Sequence, residues 1–273
     1  MKITPESVAA MKQKVFIAIP QHELSRYTSF EVHLDGVICP PYTIKQRICG
    51  IYIANLQNGL ARMFLASECE WFWLLNDDQP YPADTLLHLL ACEKDIVVPL
   101  CLEKAAPHYP LIYDKGDNGL KKHRFLRNWE RGLIKVAASG GGGMLIHRRV
   151  FEAIPDPWWT VTTKQAENGV WEQSSEDFDF CDKVAAAGFQ MYCDLDTSVI
   201  HIAHYGLRAM IDERSGEWRT VLLREEEQIV LPAATPPPSP IEIHQHFRKE
   251  LNGTDRIHGG HSALARFRTP SLP

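Results

Sequence analysis

The sequence predicts an α/β protein built on a mostly parallel sheet with helices on its faces. Three observations predict it. Short apolar, β-branched or aromatic runs recur at 14–20 (KVFIAIP), 71–75 (WFWLL) and 95–101 (DIVVPLC). Stretches with helical periodicity separate them. The resulting order, strand–helix–strand–helix–strand, is the one that places helices over a parallel sheet.

The elements follow in chain order. KVFIAIP is a buried strand ended by Pro20. Residues 43–66 carry Ile44, Ile48, Ile51, Leu56, Leu60, Met63 and Phe64 at roughly helical spacing, interrupted by little except Gly50 and Gly59, and predict one amphipathic helix. WFWLL is the next strand and runs into Asn76-Asp77-Asp78, with Pro80 just beyond. DTLLHLLACEK (84–94) predicts a short helix with Asp84 or Thr85 near its N-terminus. After the strand DIVVPLC comes a mixed region. Within it, KKHRFLRNWERGLIK (121–135) holds six Lys/Arg against one Glu. A glycine run, Gly140–Gly143, leads into MLIHRRVFEAI, read as a strand entering a helix. SSEDFDF (174–180) opens a helix that Gly188 stops, with Ser174 and Asp177 forming a loose capping box. FQMYCDLDTSVIHIAH (189–204) is extended. After Glu226 the pattern fades. LPAATPPPSP (231–240) is a proline-rich linker and 241–273 a tail of little periodicity, so the main domain is expected over 1–230.

Composition bounds the function. The chain, 45% hydrophobic and 23% charged over 273 residues, can bury one core, or one core plus an appendage. No apolar run approaches the ~20 residues of a membrane span. The start, MKITPESVAAMKQKV, lacks the apolar stretch of a secretory signal. Seven cysteines without a CxxC pair suggest reduced thiols. These features predict a cytoplasmic location, the host cytoplasm if the chain is phage-encoded. A formal charge of −5 gives no global attraction to nucleic acid, although a basic patch can act locally.

Four constellations can carry chemistry, and each has a plain structural reading beside the functional one. Asn76-Asp77-Asp78 before Pro80 is a turn, or a hard-cation site at a strand end. Glu176 and Asp177 are first-turn helix acids, or carboxylates presented for proton transfer. His201 and His204 are packed histidines, or metal ligands. Gly140–Gly143 is a flexible loop, or a place where backbone approaches a ligand closely. It lacks the GK[ST] ending of a P-loop and the spacing of a dinucleotide fingerprint.

Taken in order, WFWLLNDDQPYP, SGGGGMLIHRRVFEAI, SSEDFDFCDKVAAAGFQMY and DLDTSVIHI resemble a GT-A glycosyltransferase of the family-2-like type, particularly the short forms of phage and bacterial genomes. The resemblance covers roughly 14–205. It implies a GT-A (Rossmann-like) mixed, mostly parallel sheet and transfer of a sugar from a nucleotide-diphosphate sugar, UDP- or GDP-linked, to an acceptor hydroxyl. It implies Mn²⁺ or Mg²⁺ as cofactor, with Asp78, matching the last acid of D-x-D, and His201 as metal ligands. Asp177 matches the acid of x-E-D and becomes the base of an inverting reaction, with Glu176 its neighbour. Donor contacts fall on Pro20, Gln21, His22, Arg62, Asn76, Asp77, Gly141 and Gly142. Asn76 stands where an acid is usual, which leaves open how Asn76 and Asp77 divide ribose and metal contact.

For the acceptor, the basic segment 121–135 is a solvated helix face by default, or a DNA contact with Trp129 and Trp158–Trp159 as stacking surfaces. A hydroxymethylated base in phage DNA, a protein or a surface glycan all fit. The tail offers a route to self-association. A nucleotidyltransferase is disfavoured because IPQHELSRY lacks a glycine-rich basic loop, and a non-enzymatic sugar- or nucleic-acid-binding module makes the acids mere caps and turns.

Overall fold

A computed structural model describes residues 13–22, 27–116, 121–127, 130–165, 171–202, 206–224 and 227–231. All belong to one compact unit, Met1–Ala234. His204, Trp129, the linker beyond Leu231 and the 241–273 tail lie outside the described residues.

In chain order the elements are β1 (Lys14–His22), α1 (Thr28–Gly36), β2 (Tyr42–Gly50), α2 (Ile53–Leu65), β3 (Trp71–Leu74), α3 (Thr85–Ala91), β4 (Ile96–Leu100), β5 (Ile112–Lys115), β6 (Lys121–His123), β7 (Leu133–Val136), β8 (Ala138–Ser139) and β9 (Leu145–His147). There follow α4 (Arg148–Ala153), β10 (Thr162–Gln165), β11 (Trp171–Ser174), α5 (Glu176–Ala186), β12 (Met191–Ser198), β13 (His201–Ile202), β14 (Gly206–Ile211), β15 (Trp218–Arg224) and β16 (Glu227–Leu231).

The main sheet has seven strands in the order β2-β1-β3-β9-β4-β12-β7. Strands β1, β2, β3, β4 and β12 run one way; β9, between β3 and β4, and β7 at the far edge run the other. This is the Rossmann-like, mostly parallel sheet with flanking helices that was expected. Alternation along β1 explains the layering. Val15, Ile17 and Ile19 pack with Phe30, Leu34, Trp73, Leu86 and Leu89 on one side. Phe16 and Ala18 pack with Leu60, Phe64, Phe72, Phe151, Phe180 and Val184 on the other. So α1 and α3 cover one face and α2, α4 and α5 the other, and the sheet is buried on both faces.

Two elements correct the sequence reading. The single helix expected over 43–66 is strand β2 followed by α2. Ile44 and Ile48 are four apart, a spacing that is even as well as helical, so both also fit one face of a strand. β-Branched Thr43, Ile44 and Ile48 favour the strand, and β2 pairs in parallel along the whole of β1. Gly50 marks the junction, where a Cβ would meet Leu56 Cδ2 at 2.8 Å. The crossover that a parallel pair requires is supplied by α1, which the sequence reading left unassigned. The second correction concerns 121–135, which is not a helix face. It contributes β6 and β7, and Arg124 is held by Asp114 (3.2 Å) and Glu130.

Smaller details also differ. The cap of α5 is Ser175, whose hydroxyl accepts from the Phe178 N–H at 3.4 Å, rather than Ser174. Gly188 closes that helix region at φ +84, as expected. Residues 201–231, where little pattern was seen toward the end, form a four-stranded antiparallel sheet, β13-β14-β15-β16.

Candidate active site

Parallel strands deliver their carboxyl ends to one sheet edge, and ligands bind beyond such ends. Four segments leave there: Pro20–His22 closing β1, Asn76–Asp78 after β3, the 101–111 loop after β4, and His201 after β12. Because β9 runs antiparallel to its neighbours, the glycine run before it enters from the same edge. The ends of β1 and β3, the first turns of α2 and the N-terminus of α5 line a cavity of about 190 Å³. Its lining includes Pro20, His22, Asn76, Asp77, Asp78, Glu176 and Asp177. A larger hollow of about 450 Å³ lies around Lys14, Tyr42, Ser67 and Glu68 at the opposite ends of β1 and β2, where Lys14 and Glu68 pair at 2.8 Å.

Asn76–Gln79 is a turn, and its first three residues line the cavity. The Gln79 N–H donates to the Asn76 carbonyl (3.2 Å), and the Asn76 N–H donates to the Tyr81 hydroxyl (3.2 Å), which in turn donates to Gln79 Oε1 (2.9 Å). Backbone bonds then dock the chain around β13 onto this turn: the Ile200 N–H donates to the Pro80 carbonyl (3.2 Å) and the Ile202 N–H to the Asp78 carbonyl (2.8 Å). His201 is thereby set against Asp78. The His201 Nδ1 donates to the Leu102 carbonyl at 2.6 Å, because a carbonyl can only accept. That leaves Nε2 aimed at Asp78 Oδ2, 3.6 Å away. The Lys104 ammonium contacts the same oxygen.

The electrostatics divide the three aspartates. Burial pushes Asp78 up, but His201 and Lys104 outweigh it and hold the group below its ordinary range. Burial and then the Asp78 charge push Asp77 up, against the Gln21 side chain, which favours the ionised form. Burial lowers His201, but the Asp78 and Cys101 side chains and the Leu102 carbonyl more than reverse this, to about 10. Asp177 is raised from 3.8 to about 7, first by burial and then by Glu176; the Gly141 N–H and the Gln57 side chain oppose the rise. One oxygen each of Asp77 (Oδ2), Asp78 (Oδ1) and Asp177 (Oδ1) is buried without a hydrogen-bond partner. Buried carboxylate oxygens left unpaired are costly, and a cation or a donor hydroxyl in the cavity relieves that cost.

Among the described residues no group of three or more His, Cys, Asp or Glu is arranged to hold a metal ion. A pair, Asp78 and His201, is present. Mg²⁺ and its like bind through one or two carboxylates plus substrate phosphates and water rather than in an all-protein cage. A histidine whose other nitrogen donates to a carbonyl has the usual support of a metal ligand. The donor set therefore fits a divalent cation completed by a phosphorylated ligand.

A197 from STIV shares this fold. The two superpose with a TM-score of 0.50 at 15% identity over 83% of this chain and 100% of that one. S. aureus TarS, solved in complex with UDP-GlcNAc, aligns at a TM-score of 0.40 and 10% identity over 67% of this chain and 56% of its own. A 4-diphosphocytidyl-2C-methyl-D-erythritol synthase from Anaerococcus prevotii aligns at 0.32 and 8% identity over 52% of this chain and 73% of its own. No family model matches the sequence, and no curated protein does.

Most of the expected residues converge, and the surroundings of the others differ from the expectation. Arg62 sits five residues beyond the cavity-lining Gln57, in the last turn of α2, and its guanidinium pairs with Asp156 at 2.6 and 2.7 Å rather than facing the cavity. Gly141 and Gly142 admit side chains of the site. A Cβ on Gly141 would lie 2.5 Å from Asp177 Oδ1, and one on Gly142 would lie 1.9 Å from Gln79 Oε1. Trp158 and Trp159 are core residues, 4% and 1% exposed, and offer no surface for stacking a base. Gln21 is itself buried, behind Asp77. Sequence reasoning missed Ile53, Gln57 and Lys104. The first two open a helix that had been merged with a strand. Lys104 belongs to no motif; its one signal is its place just after a buried parallel strand.

Proposed function

We propose that this chain is a metal-dependent glycosyltransferase that moves a sugar from a UDP- or GDP-sugar to an acceptor hydroxyl with inversion. The observation that carries this reading is a single cavity lined both by Asp78, which His201 faces at 3.6 Å, and by Asp177, a carboxylate raised to about 7. Asp78 and His201 are the residues that would hold Mn²⁺ or Mg²⁺. When bound, the ion supplies neutralisation of the diphosphate leaving group. The surrounding charge argues for it, because Asp77, Asp78, Glu176 and Asp177 would otherwise repel a diphosphate.

The chain's own groups supply the rest. Pro20 and His22 line the cavity at the end of β1, where a nucleoside base would rest, with Gln21 buried behind Asp77. Asn76 and Asp77 face the donor from the turn. Asp177 takes the acceptor proton, and its raised pKa suits a base working near neutrality. Gly141 gives that carboxylate room to sit in the site.

The acceptor reading follows the same observations. With Trp158 and Trp159 buried and Arg124 paired internally, a sugar or protein hydroxyl is favoured over a base in DNA. A DNA acceptor predicts turnover that falls steeply between low and moderate salt; a sugar or protein acceptor predicts a shallow response. For the core of the reading the test is Asp78→Ala. It should abolish Mn²⁺-dependent turnover of UDP- or GDP-sugars while the protein stays folded. Turnover equal to that of the unmodified chain contradicts the assignment.

A further inference from the structure

Lys104 lies outside every motif, yet its ammonium sits on Asp78 Oδ2 at the centre of the candidate site. Its loop is fixed at the base. The Leu111 N–H donates to the Cys101 carbonyl, the Glu103 N–H to the Tyr109 carbonyl and the His108 N–H to the Ala105 carbonyl, each at 2.8 Å. The Lys104 side chain is 39% exposed, so it reaches Asp78 from the solvent side. Asp78 Oδ2 thus has two nitrogen neighbours, the Lys104 ammonium and His201 Nε2, while Oδ1 is buried without a partner.

A divalent ion held jointly by Asp78 and His201 uses Oδ2, the oxygen that faces His201 Nε2 at 3.6 Å and that Lys104 occupies. The ion is smaller and doubly charged, so it holds the carboxylate more strongly than an ammonium does. The displaced ammonium has a flexible four-carbon stem and stands beside the place where a diphosphate would lie, and lysine serves as a point-charge phosphate binder.

Resting on the glycosyltransferase reading above, we propose that Lys104 competes with the divalent cation for Asp78 and, once displaced, binds the diphosphate of the donor. The two roles pull in opposite directions, which makes them separable from a merely structural one. Full-length protein and Lys104→Met are titrated by calorimetry, first with Mn²⁺ alone and then with UDP or GDP at saturating Mn²⁺. Replacement of an exposed side chain leaves the core intact. The variant should bind Mn²⁺ about tenfold more tightly and nucleotide about tenfold more weakly, a 1.4 kcal/mol change each way. Lys104→Arg should recover part of the nucleotide affinity. If Mn²⁺ affinity is unchanged or weaker in Lys104→Met, or nucleotide affinity does not fall, the proposal for Lys104 is overturned while the reading of the site stands. If the unmodified chain shows no Mn²⁺-dependent nucleotide binding, both are overturned.

Discussion

At the residue scale the site depends on placing a carboxylate where it would rather be neutral. Asp177 binds its proton more tightly folded than unfolded, with the folded value near 7 against an ordinary 3.8. Between those values the folded state carries more protons, so stability falls as pH rises. The contribution is fully present below about pH 4 and is lost as pH passes through about 7. Melting temperatures measured from about pH 5 to about pH 8 should therefore decline more in the unmodified chain than in Asp177→Asn. The same variant should lose about a hundredfold to ten-thousandfold in turnover with donor binding retained. Equal pH slopes in the two proteins contradict the burial argument. Gly141→Ala probes the other side of the contact. Its Cβ would press on Asp177 Oδ1 at 2.5 Å and on Leu74 Cδ2 at 3.3 Å. A stability loss of about 1–3 kcal/mol and reduced turnover are expected in urea denaturation and activity assays; an unperturbed variant means that Asp177 has room to move.

At the element scale, a buried amide and a half-buried guanidinium tie the helices over one sheet face to the segments around them. Asn58 on α2 accepts from the N–H groups of Trp158 (3.0 Å) and Trp159 (3.1 Å) and donates to the Trp159 carbonyl (2.7 Å). Asn58→Ala strands three buried backbone groups and should cost about 3 kcal/mol, read as a lower urea midpoint; a change below about 0.5 kcal/mol would mean water replaces the amide. Arg148 closes the other end of α2. Its guanidinium donates to the carbonyls of Phe64, Leu65, Ser67 and Cys69 and lies 4.9 Å over the Phe64 ring. Such contacts are not legible in a sequence, because their partners are 79 to 101 residues apart. The strands at 14–20, 71–75 and 95–101 were legible because burial on both faces leaves unbroken apolar runs. Strand β2 was not, because an edge strand with apolar residues four apart fits both periods. The carboxylates of the candidate site were legible as an order along the chain. Lys104 and Gln57 were not, because they reach the site only through topology.

At the scale of the whole molecule, one sheet edge gathers everything the proposed reaction needs. Parallel strands β1, β3, β4 and β12 bring Pro20–His22, the acidic turn, Lys104 and His201, while antiparallel β9 brings the glycine run. The central claim is that this edge binds a nucleoside diphosphate through a divalent ion. Melting temperature measured with UDP or GDP, with Mn²⁺, and with both together tests it directly. The account predicts a rise that requires the metal and one of the nucleotides together, of about 3 kcal/mol in stability at a hundred times the dissociation constant, and its loss in Asp78→Ala. A rise with nucleotide alone that Mn²⁺ does not increase, or a rise that survives in Asp78→Ala, would contradict it.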